Sequence, residues 1–109
     1  MKIIVTLSVT TLLGLSFANS ALAADTEAGK KIFMNTCIGC HNNGLNVIAP
    51  EKTLKKADLE KNAMYSDKAI INQVTQGKPP MPAFGKQLSA SDIENVTAYV
   101  LKQADSGWK

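Results

Sequence analysis

Arginine is missing from this chain: all 12 basic residues among its 109 are lysine. Histidine and tryptophan occur once each, and cysteine twice. Two cysteines exclude a disulfide-rich scaffold, and one histidine excludes a multi-zinc module. Aromatics make up 6% and the formal charge is only +3, so the dense basic patch of a nucleic-acid binder is absent. The length of 109 residues leaves room for one domain. Sustained apolar–polar alternation is lacking too, so strands are not expected and the chain reads as all-α.

Apolar residues, 45% of the total, are unevenly spread. Lys2 is the only charge before Asp25. It precedes an apolar run over residues 3–17 and then Ala18-Asn19-Ser20-Ala21-Leu22-Ala23. A basic start, an apolar core and a small-x-small end predict a cleaved export signal over residues 1–23, leaving residues 24–109 as a single domain. The alternative is an uncleaved membrane anchor. A spanning helix wants about 20 strongly apolar residues, whereas this run is shorter and broken by Thr, Ser and Gly. A domain so small has a limited core and is expected to lean on a disulfide, a metal or a large cofactor.

Four helices are expected. Asp25 caps the first, over residues 26–35, with Ala28, Ile32 and Phe33 facing inward. Gly29 inside it costs up to about 1 kcal/mol against Ala, which points to another backbone packed closely there. The second runs over residues 53–61 with Leu54, Ala57 and Leu59. The third opens at Ser66-Asp67, turns Ile70, Ile71 and Val74 inward and closes at Gly77. The last is capped by Ser89 with Asp92 behind it, repeats Ile93, Val96, Val100 and Leu101, and stops near Gly107. Residues 41–51 read as a loop. Residues 78–87 contain three prolines and are expected to run extended and irregular.

Cys37-Ile38-Gly39-Cys40-His41 is the chemical centre. The C-x-x-C-H spacing suits covalent attachment of a c-type haem, the thiols adding to two vinyl groups while the adjacent imidazole supplies an axial nitrogen. Three alternatives remain: a thioredoxin-like redox pair, which wants a βαβ setting; a zinc site, which needs a fourth ligand; and a plain disulfide. For the opposite axial position, Met34 is tethered on the wrong side and Met64 follows an unconstrained path. Met81, within Pro79-Pro80-Met81-Pro82, lies on a stiff segment that can hold sulfur against iron.

The chain resembles the cytochrome c6 family over essentially all of residues 24–109. The resemblance is carried by Ala28-Gly29-Lys30-Lys31-Ile32-Phe33, Cys37 to His41, Pro50-Glu51-Lys52-Thr53-Leu54, Gln73 to Lys78, Met81-Pro82-Ala83-Phe84-Gly85, and a tail from Ala98-Tyr99 to Gly107-Trp108. It implies the cytochrome c fold around one covalent haem c on Cys37 and Cys40, with His41 and Met81 as iron ligands. It also implies that Asn46 and Lys52 lie near the haem or its propionates, that the Pro50 carbonyl accepts from the His41 ring N–H, and that Gln73 tunes the potential from the methionine side. Gly29 and Phe33 would mark a crossing of the first and last helices, with Tyr99 opposite.

The implied role is that of a monomeric one-electron carrier, not an enzyme, moving electrons from the cytochrome b6f complex to photosystem I in the thylakoid lumen. No nucleic acid and no lasting membrane anchor are involved. The alternative is a bacterial periplasmic cytochrome donating to a terminal oxidase; a small haem peroxidase would need an open iron. Where family members often carry an arginine after Met-Pro-Ala-Phe-Gly, this chain has Lys86 and Gln87.

Overall fold

A computed structural model describes residues 23–109. The expected signal over residues 1–23 lies, apart from Ala23, outside the described residues. Helix α1 (Thr26–Ile32) leads through a π-helical turn (Phe33–Cys37) into α2 (Ile38–His41) and a 3-10 turn (Asn42–Gly44). Then come α3 (Lys56–Lys61), α4 (Asp67–Gln76) and α5 (Ala90–Ser106). Since residues 26–41 are helical without a break, the described residues form four helical units, the all-α arrangement that the sequence led one to expect.

The caps are local. Asp25 accepts from the N–H groups of Glu27 and Ala28, and Ser66 accepts from that of Ala69. Ser89 and Asp92 form a reciprocal capping box at the head of α5. Gly77 and Gly107 follow α4 and α5 with φ of 71° and 73°.

Two boundaries differ from expectation. The first helix does not stop at Asn35, because nothing breaks it before Asn42, whose ψ of 132° leaves the helix just ahead of Asn43 and Gly44, which turn left-handed at φ 55° and 75°. The second begins at Lys56 rather than Thr53. The Thr53 hydroxyl accepts from the Lys55 N–H and donates to the Asp58 carboxylate, so Thr53 stands just ahead of the helix.

Helix α1 crosses α5 at Gly29, where an added Cβ would lie 2.0 Å from the Asn95 carbonyl oxygen. Phe33 meets the rings of Tyr99 and Trp108, both at 5.3 Å between centroids. With Ile70, Val96 and Val100 these form the core. Trp108 also donates from Nε1 to the Leu54 carbonyl at 3.0 Å and covers Gly44, whose absent Cβ would fall 2.4 Å from the indole. The C-terminus thereby pins the loop after His41 against the helix crossing.

Candidate haem site

The helical run over residues 26–41 ends at one side of a cavity of about 370 Å³, and delivers Cys37, Cys40 and His41 to its wall. Met81 lines the same cavity from the proline segment and Gln73 from α4, while Asn46 and Lys52 border it from the loop. Leu54, Leu59, Ile70, Val74, Val96 and Val100 supply apolar walls.

Both cysteines are free thiols, Cys37 half-buried and Cys40 exposed. Burial pushes the Cys37 thiol up to about 11, whereas a C-x-x-C redox pair works through a lowered thiol. Among the described residues no three His, Cys, Asp or Glu side chains gather to hold a metal ion, so a closed zinc site has no ligand set.

His41 Nδ1 lies 2.9 Å from the carbonyl oxygen of Leu45. The carbonyl of Pro50 was the expected acceptor, and the structure corrects this: Pro50 is exposed and does not line the cavity. The left-handed Asn43 and Gly44 fold the chain straight back, so the carbonyl four residues beyond His41 reaches the ring first. With Nδ1 engaged, Nε2 is the ring nitrogen left for a metal. Asn46 spends its side chain on its own loop, accepting from the N–H groups of Ile48 and Ala49 and donating to the Lys52 carbonyl at 3.0 Å. Lys52 is exposed at the cavity edge.

The proline segment does not run extended. Lys78 and Met81 exchange both backbone hydrogen bonds, at 3.0 and 2.8 Å, around Pro79 and Pro80. Neither proline has an N–H to contribute, so the pairing falls to the residues flanking them and closes a tight turn. Phe84 and Gly85 donate backward to the carbonyls of Val74 and Thr75, which fastens this segment to the end of α4. Gln73 Nε2 then donates to the Met81 sulfur at 3.4 Å. Met34 is 47% exposed and away from the cavity, whereas Met64 lines it and packs on the core.

Several participants were not legible beforehand. The Leu45 carbonyl is backbone and carries no sequence signal. Thr53, Asp58 and Lys78 also line the cavity. Val47 and Ile48 stand 64% and 55% exposed beside it, apolar residues in a loop where polar ones are the norm.

The donor set suits a haem: two thiols and an imidazole within five consecutive residues, a thioether from a separate segment, and an apolar enclosure between them. Comparison with known proteins agrees. The family model for cytochrome C oxidase, cbb3-type, subunit III matches residues 24–100. A cytochrome c6 from Rippkaea orientalis is 58% identical over 89 residues, covering 82% of this chain and 80% of that protein. Another, from Aphanizomenon flos-aquae, is 59% identical over 86 residues, 79% of this chain and 99% of its own. The chain belongs to the cytochrome c6 family.

The crystal structure of cytochrome c6 from the diatom Phaeodactylum tricornutum superimposes with a TM-score of 0.75 at 51% identity, covering 77% of this chain and 99% of that one. As a cytochrome c6 family member, the chain is a c-type cytochrome electron carrier with one covalently attached haem c, not an enzyme. No helix of the described residues is long and apolar enough to cross a membrane.

Proposed function

We propose that this chain, exported by residues 1–23 and working as residues 24–109, carries single electrons from the cytochrome b6f complex to photosystem I in the thylakoid lumen. The observation that carries the reading is the convergence of Cys37, Cys40, His41 and Met81 on one cavity, in a chain closely similar to cytochromes c6. Cys37 and Cys40 would hold the haem as thioethers, and His41 and Met81 would supply its iron ligands. Haem iron would bring the one-electron ferric–ferrous couple, at a potential raised by a thioether ligand beside the imidazole.

The remaining work belongs to the chain. The Leu45 carbonyl keeps a proton on His41 Nδ1 and orients the ring. The Gln73 amide aims the Met81 sulfur. The leucine, isoleucine and valine walls exclude water and so favour the less charged, reduced site. With His41 and Met81 both available as ligands, a bound iron would be left without a site for oxygen or peroxide, which supports a shuttle over a peroxidase.

A shuttle must let go quickly, so its contact should be small and partly electrostatic. Pro82 and Ala83, with Val47 and Ile48, offer an exposed apolar rim, and Lys78 and Lys86 are exposed in the same proline segment. Flash-induced re-reduction of isolated photosystem I by the reduced holoprotein tests the reading. Fast, saturable re-reduction that slows as salt is added is expected; a rate no greater than that of an unrelated periplasmic cytochrome would overturn it. The match to the cbb3-type oxidase subunit model favours one second reading, a periplasmic donor to a terminal oxidase. Faster turnover with isolated oxidase than with photosystem I would support that reading instead.

A further inference from the structure

Of the cavity-lining residues assigned no role so far, Asp58 is the only acid. It lies in the first turn of α3, in a wall that is otherwise largely apolar. Its orientation is set by Thr53, which is only 9% exposed. The Thr53 hydroxyl accepts from the Lys55 N–H at 3.2 Å, so its single hydrogen is free to go elsewhere, and it is directed at Asp58 Oδ2. Asp58 makes no direct ion pair: the one ion pair among the described residues joins Lys56 to Asp105, while Lys52 and Lys78 line the same cavity without pairing with it. A carboxylate held by a buried hydroxyl and not directly paired is a negative charge in the wall of the haem cavity.

We propose that Asp58, held by Thr53, is a potential-setting residue of this cytochrome, a negative charge in the cavity wall that favours the ferric over the ferrous site. The physical basis is Coulombic. Oxidation adds one positive charge at the centre of an enclosure where water screens poorly, so a nearby fixed anion stabilises the oxidised form. Asp58 opposes Gln73 and Met81, which act from α4 and the proline turn. The final potential is the difference between the two influences.

The proposal rests on a haem bound in this cavity, and its test separates the two. Holoprotein carrying Asp58→Asn keeps the shape and an acceptor for the Thr53 hydroxyl but removes the charge. In spectroelectrochemical titration it should be reduced at a higher potential, a several-fold shift of the equilibrium with a one-electron reference couple toward the reduced form. Asp58→Glu, which restores the charge, should lie nearer the original protein. Glu60→Gln, which removes an exposed acid from the same helix, should leave the potential in place. An unchanged potential in Asp58→Asn, or equal shifts in all three variants, would overturn the proposal. Absence of ferrous haem bands in the original protein would instead overturn the site itself.

Discussion

Gly29 shows how much one hydrogen atom in place of a methyl can decide. Alanine would gain at most about 1 kcal/mol in helix propensity. Its Cβ, however, would sit 2.0 Å from the Asn95 carbonyl oxygen and 3.0 Å from Tyr99 Cβ, and neither backbone nor core ring can yield cheaply. Overpacking costs of about 1–3 kcal/mol win. Gly29→Ala should therefore destabilise the holoprotein by a net amount on the order of 1 kcal/mol, read as a lower urea midpoint with the visible spectrum unchanged. Tyr65 gives a second test at this scale. Its hydroxyl donates to Asp105, which raises its pKa above the ordinary phenol range, with desolvation adding to the effect. A raised pKa means that the stabilisation is fully present at neutral pH and is lost as pH climbs through the folded-state value. Tyr65→Phe should thus be less stable than the original protein at neutral pH, and the gap should narrow in strongly alkaline buffer when urea midpoints are compared. The glycine was legible because only a close backbone explains so costly a residue. The tyrosine was not: its partner is 40 residues away, and nothing in a linear pattern pairs them.

Elements whose limits rest on local chemistry came out of the sequence nearly whole. Asp25, Ser66 and Ser89 begin helices where their side chains suggest, since a cap acts within three residues. The C-x-x-C-H segment was assigned by spacing to haem attachment, but its helical conformation was not anticipated. Gly39 counts against a helix in propensity, yet nothing lies within 4 Å of where its Cβ would be, so it neither needs nor opposes a turn. The proline segment was expected to run extended because three prolines forbid a helix; which residues then pair is decided by the anchorage of Phe84 and Gly85 on α4. The capping box of α5 offers a clean test, since Ser89 lies outside the cavity wall. Ser89→Ala should cost about 1 kcal/mol and Ser89→Gly only a few tenths. For a domain this small the alanine variant should melt about 4–8 °C lower, read by circular dichroism, and its reduction potential should stay where it was.

At the scale of the molecule, the core and the haem cavity are one structure. Phe33, Ile70, Val96 and Val100 belong to the buried cluster and also line the cavity, so there is no separate core to fall back on. The sequence foretold this only in outline, as a domain too small to stand without a cofactor, because which apolar side chains turn toward the ring depends on how α1, α4 and α5 cross. Without a group filling this cavity of about 370 Å³, the core side chains that line it lose apolar partners, and a domain this small has little stability to spare. Replacing both Cys37 and Cys40 with Ala removes the covalent tether that retains haem. The double variant should show little cooperative unfolding and a loss of far-ultraviolet helical signal relative to the holoprotein. Added haem should restore part of that signal through His41 and Met81 alone. A haem-free double variant that melts sharply with full helicity would mean that α1, α4 and α5 close on one another, and that the cavity is not part of what holds the fold.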